Sequence, residues 1–526
     1  MYSKLKKKYP KFLILIGVFL CISCQNDNDF NFEEEADIPC NGAICDMLIA
    51  EEIILNPTGY APLSAIIALE TNESIQVDIS IAGVNGTDSN VVHQFSETGT
   101  TLDIPIHGLY PDYENTVTLS FFNTNGLKLG EKSYVIKTDP LITDLPQISI
   151  DTAERNLMDN GMNLVNYFGY DQRLTLFRPF IFDSYGDIRW YLNFENHPIL
   201  SALDYDNGPE QLANGNLYFA DQSTNAIYEI DLFGTILNTW GISGYKFHHE
   251  VFEKPNGNFL VTVDKNGKNT IEDYIIEIDR QSKEIVVEWD LNASLDNTRM
   301  ALTSNTQDWI HVNAINYDET DNTIIVSGRT QGVIKLNNNN EVVWIMGSHS
   351  DWNTSGNGIA LSQFLLQPLD ALGVPITDQA VLNGDENHPD FEWNWFQHAT
   401  KVLPNGNIIL FDNGGADRNF STTDLYSRAV EFKIEHGTIQ QVWDYGKERG
   451  LEIYSRIVSD VDYLENQDHI LMSSGAIVSG TQPVGKLIEI DMSDHNVIFE
   501  ATITPPTAHN DQITFHRTGR ISLYNN

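Results

Sequence analysis

Three histidines and one arginine occupy matching points of a repeated pattern in this chain. His249 and His398 each stand six residues before the proline of a Pro-Asn-Gly-Asn turn that leads into an apolar strand. His311 precedes a weaker turn of the same kind, and Arg329 follows His311 by 18 residues. If the repeats are arranged around an axis, these side chains converge near one end of it. The pattern therefore predicts a single site built from basic groups.

Two kinds of chemistry suit such a set. Neutral imidazoles bind metal ions, and they are also good nucleophiles near neutral pH because their ordinary pKa is about 6.5. A guanidinium repels a cation but pairs with the anionic oxygens of a sulfate or phosphate. We find no carboxylate at an equivalent point of the repeats to complete a metal shell. The sequence therefore favours an anion site and leaves a metal site as the alternative.

Two further residues are predicted as substrate-binding members of the same site. His248 adjoins His249 and is the weaker candidate, because successive side chains of a regular strand face opposite sides. Asn413 lies in the segment FQHATKVLPNGNIILFDNG, which also carries His398. Six other histidines lack the shared spacing, and we expect them to be surface, insertion or blade residues: His349, His388, His436, His469, His509 and His516.

The repeat has two landmarks, a turn before a strand and a later strand that ends in an aromatic residue. The closing aromatic residues lie 49 to 56 residues apart, except for one spacing of 99 residues: Trp190, Trp240, Trp289, Trp344, Trp443 and Phe499. Six units of about four strands predict an all-β fold, a six-bladed β-propeller over residues 150–526. The final strand, ITFHRTGRISLY, is expected to complete the first blade and close the ring.

The long spacing contains an insertion of roughly residues 347–394. This stretch and its end are rich in Trp, Asn and Gly, with Trp352, Trp393 and Trp395 as the large aromatic residues. Two outcomes are open. The tryptophans form a lid or aromatic wall for a bound ring, or they pack within a surface loop of their own.

The region in front of the repeat predicts a small antiparallel β-sandwich over residues 46–140. Short runs such as SIQVDISIAG and NTVTLSFFNT alternate apolar and polar residues, and Gly, Asn, Asp and Pro separate them. Asp139-Pro140 and Leu145-Pro146 indicate a linker. The formal net charge of the whole chain is -42, which argues against nucleic acid, because a phosphate backbone would be repelled.

The first residues are typical of an export signal. Lysines within residues 4–11 precede an apolar run, 12–20, that is too short to span a membrane and that ends in Cys21-Ile22-Ser23-Cys24. We predict a lipoprotein-type signal peptide over 1–24 with Cys24 lipidated, and an ordinary cleaved signal as the alternative. The protein would be exported and held at the outer membrane, on its periplasmic face or at the cell surface, through the lipid anchor alone.

Residues 25–45 are predicted as an acidic tether that leads to the folded region. Its second half carries Cys40 and Cys45, the two cysteines that remain after the signal. An exported compartment permits a disulfide between them. We expect a local staple and no redox role.

Taken together, these segments resemble the bacterial arylsulfate sulfotransferase family, of the type that uses no nucleotide sulfate donor. The resemblance covers most of the mature chain, and 18 residues is also the family's spacing between its second histidine and its arginine. The segments that carry it are LNPTGYAPLSAII, HGLYPDYENTVTL, HHEVFEKPNGNFL, DWIHVNAINY, SGRTQGVIKL, FQHATKVLPNGNIILFDNG, YSRAVEFKI and VWDYG.

The resemblance implies a transfer of a sulfuryl group from a phenolic sulfate ester to a phenolic acceptor by a ping-pong route. By position, His398 would be the nucleophile that becomes transiently sulfated, while His249, His311 and Arg329 would bind and polarise the sulfuryl oxygens. The resemblance implies no cofactor; the partners would be the small phenolic donor and acceptor, with a homodimer left open. A disulfide near the site of some members has no counterpart here, because no cysteine follows Cys45.

Two other functions stay open at this point. The same histidines would serve a metal-dependent propeller enzyme. A non-catalytic surface lipoprotein that binds glycans or sulfated ligands would also fit the predicted export signal and the basic site.

Overall fold

The computed structural model describes residues 40–167, 177–414, 425–478, 480, 483–506 and 513–524. Cys24, the predicted signal peptide and residues 25–39 of the predicted tether lie outside these ranges. Within them the regular structure is almost entirely strand, which confirms the predicted all-β class. In this described part, no helix has the length and apolar character needed to cross a lipid bilayer.

The front region is one sheet with a long, bent central hairpin. Its order is β1-β6-β5-β3-β2, and β4 also pairs with β3. The register of β3 shifts after Glu70 and again after Gln76, so β3 pairs with β2 in its first half and with β5 in its second. Such shifts bend strands, and alternate residues of β3 cover a shared apolar core. The strands are β1 (Asn41–Gly42), β2 (Leu48–Leu55), β3 (Ser64–Ile81), β4 (Val91–His107), β5 (Glu114–Asn123) and β6 (Lys128–Lys137).

The segment before β2 is part of this folded sheet. Cys40 and Cys45 form a disulfide, and β1 pairs with β6. Helix α1 (Ile44–Met47) follows, and the side chain of Ile44 is buried in the front core. Residues 40–45, which the sequence assigned to the tether, therefore lie on the front sheet.

The second region contains the remaining strands and two short helices, α2 (Leu291–Ser294) and α3 (Gln379–Asn383). The strands are β7 (Gln147–Ala153), β8 (Met162–Tyr167), β9 (Phe180–Phe182), β10 (Ile188–Tyr191), β11 (Glu210–Gln211), β12 (Leu217–Asp221), β13 (Ala226–Ile230), β14 (Ile236–Gly241), β15 (Tyr245–Glu253), β16 (Phe259–Lys265), β17 (Tyr274–Ile278), β18 (Ile285–Asp290), β19 (Val312–Asp318), β20 (Thr323–Gly328), β21 (Gly332–Leu336), β22 (Val342–Met346), β23 (Gln367–Pro368), β24 (His398–Val402), β25 (Ile408–Asp412), β26 (Arg428–Glu435), β27 (Thr438–Tyr445), β28 (Asp460–Leu464), β29 (His469–Ile477), β30 (Val484–Asp491), β31 (Val497–Thr504) and β32 (Phe515–Ile521).

Among the described residues, these strands form six sheets that we number as blades 1 to 6 along the chain. Blade 1 has the order β10-β9-β8-β32, and blades 2 to 4 are β11 to β14, β15 to β18 and β19 to β22. Blade 5 is β24 to β27 with β23 added at its outer edge, and blade 6 is β28 to β31 with β7 added. The predicted six-bladed propeller is confirmed, and its last strand closes the ring by pairing with β8.

The repeated Asn-Gly-Asn turn is explained by a glutamate in the third strand of the same blade. Asn216 donates a hydrogen bond to Glu229 at 2.6 Å in blade 2. The equivalent bond joins Asn407 to Glu431 at 2.5 Å in blade 5. Blade 3 has the same arrangement from Asn258. The two sequence landmarks, turn and strand, are therefore partners in one structural unit.

The closing tryptophans of blades 1, 2 and 3 each bond to the next blade. Trp190 is buried at the end of blade 1, and its Nε1 donates to the carbonyl of Leu232 in blade 2 at 2.7 Å. Trp240 and Trp289 donate in the same way to the carbonyls of the following blades at 2.9 and 2.8 Å. A buried indole needs such an acceptor, so these residues recur for a reason of packing.

The insertion before β24 packs on itself and on blade 5. β23 runs parallel to β27, and α3 lies between β23 and β24. The three tryptophans Trp352, Trp393 and Trp395 are 7%, 2% and 3% exposed. Their burial favours the interpretation of a loop with its own packing over an aromatic wall.

Candidate functional site

The inner strands of several blades lose their regular form where they approach the axis. β15, β19, β24 and β32 all have register shifts there. His249, His311 and Ala399 adopt φ angles of 52°, 53° and 52°. A left-handed backbone is rare for residues with a Cβ and accumulates where side chains are re-aimed for function. These irregularities coincide with the predicted site residues in three blades.

His249 and His311 lie side by side, with ring centroids 5.0 Å apart. Glu272 Oε2 lies 3.2 Å from Nε2 of His249 and 2.8 Å from Nδ1 of His311. Asp206 Oδ2 is 3.0 Å from Nδ1 of His249. Asp308 Oδ2 is 2.9 Å from Nδ1 of His311. His249 therefore has a carboxylate at each nitrogen, whereas both carboxylates of His311 face its Nδ1.

The sequence showed no carboxylate at an equivalent point of the repeats, and these three carboxylates come from other positions. Asp206 precedes β11, Glu272 precedes β17 and Asp308 precedes β19, so they do not share one point of the repeat. Close sets of possible metal-ligating atoms are Asp206 with His249 and His516, His248 with His249 and Glu272, and Glu272 with Asp308 and His311. The metal alternative thus has ligands of suitable chemistry.

The carboxylates also control the charge of the two imidazoles. Burial by itself lowers the pKa of His249, but Asp206 and Glu272 outweigh burial and raise that pKa to about 10. Burial likewise opposes the charge on His311, and Asp308 with Glu272 raises its pKa above the usual value. His249 therefore carries a proton at neutral pH, and the carboxylates favour the charged form of His311.

His398 has the opposite character. It is 3% exposed, and burial, followed by the nearby charges of His516 and Arg329, holds its pKa well below the usual value. Its Nδ1 lies 2.7 Å from Oδ1 of Asn413. The amide of Asn413 is oriented because its Nδ2 donates to the carbonyls of Ser455 and Val458 at 2.8 and 3.1 Å. Nδ1 of His398 must therefore donate, and Nε2 keeps the lone pair.

Asn413 was predicted to bind substrate, and in the structure its side chain contacts His398. Its side chain is fully buried and both of its amide atoms are engaged within the protein. It positions His398 and selects its tautomer. Sequence spacing could not reveal this contact with His398, because the carbonyls that accept hydrogen bonds from Asn413 belong to residues 455 and 458 in the segment before blade 6.

Arg329 lies near both His311 and His398. Its backbone N–H donates to the carbonyl of His311 at 3.0 Å, and its guanidinium lies 5.2 Å from the ring centroid of Phe396. Among the residues that the structure describes, no carboxylate forms an ion pair with this guanidinium. The donors of Arg329 are therefore available to an anion.

His248 does not turn away from the site as strand alternation suggested. Its ring centroid lies 5.3 Å from that of His249, whose unusual φ angle interrupts the alternation. The ring is buried, and neither nitrogen has a hydrogen-bond partner among the described residues. The nearest carboxylate oxygen, Oδ1 of Asp264, is 3.9 Å from Nε2.

The sequence missed one member of the site, because His516 was expected to be a surface, insertion or blade residue. It lies on β32, and its ring centroid is 6.0 Å from that of His249 and 5.9 Å from that of His398. The signal that could have found it was the final strand itself. Once that strand is assigned to blade 1 it must be an inner strand, and its residues face the axis.

The site of this six-bladed propeller combines a buried histidine of lowered pKa, two imidazoles paired with carboxylates, and an arginine that no described carboxylate pairs with, which are groups suited to binding an anion. The chain belongs to the arylsulfotransferase family. The model described as "Arylsulfotransferase (ASST)" matches residues 148–513, and the one described as "Arylsulfotransferase Ig-like domain" matches residues 52–139. The resemblance found in the sequence is thereby confirmed.

Two curated relatives are named arylsulfate sulfotransferase AssT, one from Escherichia coli O6:H1 and one from Lelliottia amnigena. Each is 28% identical to this chain, and each alignment covers 86% of this chain and 90% of the relative. Similar solved structures include a virginiamycin B lyase from Staphylococcus aureus (TM-score 0.29, 10% identity, 68% of this chain and 99% of that one). An auxiliary nutrient binding protein from Bacteroides ovatus has TM-score 0.29 and 10% identity, and covers 87% of this chain and 86% of that one.

The role of Asn413 can be tested by Asn413→Leu, which keeps similar volume but accepts no hydrogen bond. Without the acceptor, His398 is free to place its proton on Nε2, so we expect the rate of aryl sulfate cleavage to fall by about 100-fold or more. Steady-state kinetics with 4-nitrophenyl sulfate give the result. Asn125→Leu, at an exposed turn of the front sheet, is the matched control. An unchanged rate in Asn413→Leu would remove the positioning role.

The charge on His249 predicts a pH dependence. Its pKa in the folded protein, about 10, exceeds the unfolded value of 6.5. The stabilisation from its ion pairs is therefore complete below the unfolded value and is lost as the pH rises through the folded value. We expect activity to decline over the same alkaline range.

Asp206→Asn removes one of the two carboxylates that hold this proton. The alkaline limb of the rate profile for 4-nitrophenyl sulfate cleavage should then move down by about one pH unit or more. Asp103→Asn, at an exposed position of the front sheet, should leave the limb in place. An identical limb in Asp206→Asn would contradict the assignment of charge to His249.

Proposed function

We propose that this aryl sulfotransferase moves the sulfuryl group through a covalent intermediate on His398. The observation that carries the proposal is the contrast between His398 and its neighbours. His398 is held neutral with its lone pair on Nε2, while carboxylates raise the pKa of His249 and of His311. A nucleophile must be unprotonated, and the groups that bind an anion must be charged.

In the first step, Nε2 of His398 attacks the sulfur of a phenolic sulfate ester. A bond forms between this nitrogen and sulfur, the bond from sulfur to the phenolic oxygen breaks, and its electron pair leaves with the phenolate. In the second step, the oxygen of another phenol attacks the same sulfur, the phenol releases its proton to solvent, and the electron pair of the S–N bond returns to Nε2. The donor and acceptor occupy the site in turn.

Arg329 and His311 are the groups that can hold the sulfuryl oxygens. Arg329 offers guanidinium donors that no described carboxylate occupies. Nδ1 of His311 faces Asp308 and Glu272, which leaves Nε2 of its charged ring to donate to the anion. Charge on the equatorial oxygens in the transition state is stabilised by such fixed donors.

His249 contributes in a different way from His311. Both of its nitrogens face carboxylates, Asp206 and Glu272. It therefore acts mainly through its positive charge, which offsets the carboxylates and lets an anion approach. His248 is buried next to it with unpaired nitrogens, and it is placed to supply a hydrogen bond to a bound molecule.

The experiment that tests the proposal is mass spectrometry of the enzyme after brief exposure to 4-nitrophenyl sulfate. The peptide that contains His398 should gain a sulfuryl group, and added phenol should remove it. His398→Asn should lose the label and all transfer above background, while His436→Asn, at an exposed turn, should keep both. Absence of the label under rapid quench at alkaline pH would refute the covalent route.

A metal-dependent mechanism is the second candidate, because three sets of carboxylates and histidines lie close together. The labelling experiment separates the two when it is repeated after prolonged dialysis against a chelator. Labelling and release at the full rate in metal-free protein support the sulfohistidine route. Loss of labelling that returns with one divalent cation supports the metal route.

We also propose that the protein is exported and held at the outer membrane by a lipid on Cys24, with the natural phenols reached from outside the cytoplasm. Support comes from the lysines, the short apolar run and the Ser23-Cys24 pair at the start of the sequence. A homodimer stays a prediction.

Fractionation of cells that produce the full chain tests the anchor. Wild-type protein should sediment with outer membranes and dissolve only in detergent, whereas Cys24→Ala should fail to acquire the lipid mass and leave that fraction. Cys21→Ala should behave as the wild type. A wild-type protein that is soluble without detergent would rule out the anchor.

A further inference from the structure

A second arginine, which no sequence pattern singled out, lies next to the site. Arg456 belongs to the segment between β27 and β28, and its side chain is exposed. Close to it along this segment, the carbonyls of Ser455 and Val458 accept hydrogen bonds from Asn413 at 2.8 and 3.1 Å. Because Asn413 in turn contacts His398, Arg456 stands on the segment that adjoins the proposed nucleophile.

The backbone of this segment is held firmly on both sides of Arg456. On one side, the N–H of Ser455 donates to Oγ of Ser427 at 3.0 Å. On the other side, Val458 adopts a φ angle of 56°. A left-handed backbone is unusual for a β-branched residue, and it persists only where the surrounding structure holds it in place. The base of the Arg456 side chain is therefore fixed relative to His398.

The charge of Arg456 acts on Arg329. Burial, and after it the charge of Arg456, lowers the pKa of Arg329. Asp308 and Glu272 oppose this effect, but each of them acts less strongly on Arg329 than Arg456 does. The two guanidinium groups therefore lie near one another, one on each side of the approach to His398.

Neither guanidinium is neutralised by an ion pair within the described part of the chain. Arg456 forms no hydrogen bond, ion pair or ring contact there, and Arg329 contacts the ring of Phe396 but no carboxylate. The chain has 73 acidic residues against 31 lysines and arginines, so carboxylate partners are abundant elsewhere. Two like charges without such partners raise the free energy of the empty site, and a bound anion removes that cost.

The two arginines differ in depth, and this difference assigns them to different parts of a substrate. Arg329 is partly buried near His398, where the sulfuryl group must lie, whereas Arg456 is exposed. A phenolic sulfate whose sulfur lies at Nε2 of His398 extends its ring away from the nucleophile and towards solvent. A carboxylate on the far side of that ring can then pair with the planar fork of Arg456.

We propose that Arg456 selects substrates whose aromatic ring carries a second anionic group, such as a carboxylate. This inference rests on the proposed function, because it places the substrate by its sulfuryl group at His398, and it narrows the substrate class. The donor and the acceptor occupy the site in turn, so the selection applies to both. Arg456 takes no part in the making or breaking of bonds.

The test compares two acceptors of nearly the same shape, 4-hydroxybenzoate and 4-hydroxybenzamide, with 4-nitrophenyl sulfate as the donor at about pH 7. At this pH the carboxyl group is ionised, since carboxyl groups ionise near pH 4. In Arg456→Gln, kcat/KM for 4-hydroxybenzoate should fall by about five- to 20-fold, mainly through KM. The value for the neutral amide should change by less than about twofold. In the wild type, the preference for the carboxylate should shrink as salt is added, because salt screens an exposed charge.

Two further variants sharpen the comparison. Arg456→Glu should reverse the selection, so that the cationic acceptor tyramine is used better than 4-hydroxybenzoate. Arg155→Gln is the matched control, because Arg155 is also an exposed arginine but donates to the carbonyl of Ser184 in blade 1. It should leave the ratio of the two acceptors unchanged.

Equal losses with both acceptors would overturn the inference and assign Arg456 a role in holding its segment. A ratio that Arg456→Gln leaves unchanged would exclude Arg456 as the selecting residue. The measurement follows the overall transfer, so it does not depend on the covalent intermediate. A preference that requires Arg456, in an enzyme whose His398 gains no label, would support the selection and contradict the sulfohistidine route.

Discussion

The site depends on the placement of carboxylates directly behind imidazoles in a space that burial keeps poor in water. Asp206, Glu272 and Asp308 are acceptors for two rings, and the attraction between opposite charges is stronger there than in bulk water. The imidazoles of His249 and His311, together with Arg329, match these three carboxylates, so the site does not share the negative balance of a chain whose formal net charge is -42. An anion can then bind although the protein as a whole repels it.

The propeller holds these opposed charges together at some cost in backbone strain. Left-handed φ angles at His249 and His311 each cost about 1–3 kcal/mol, and the surrounding structure must over-determine them. Arg517, on an inner strand of the propeller, helps to hold this backbone in place. On β32 it pairs with Glu250 of blade 3 at 2.8 Å and with Asp460 of blade 6 at 3.4 Å. One buried side chain thus connects three inner strands.

The sequence was sufficient for the fold and for bringing His249 and His311 together, because both follow from the repeat. The turn and the glutamate that recur in each blade are hydrogen-bonded partners, and His249 and His398 keep a constant offset from that turn. Site residues that lie outside the repeated pattern could not be predicted from the sequence. Asp206 and Glu272 lie in connections that differ between blades, and His516 lies on the strand that has no turn of its own. Asn413 was noticed, but its role depends on carbonyls far along the chain.

Closure of the ring by β32 also determines the order in which the blades can form during folding. Contacts in blade 1 join residues as far apart as Asn163 and Arg520, a separation of 357 positions, and pairing at such range is slow because the intervening chain must first be ordered. Blades 2 to 5 are built from neighbouring segments and can form earlier. Until the last strand docks, blade 1 exposes an unpaired edge and His398 lacks the ring of His516 beside it. Docking of β32 therefore completes the catalytic centre and pairs the exposed edge of blade 1 in one step. A chain in which β32 has not docked has neither.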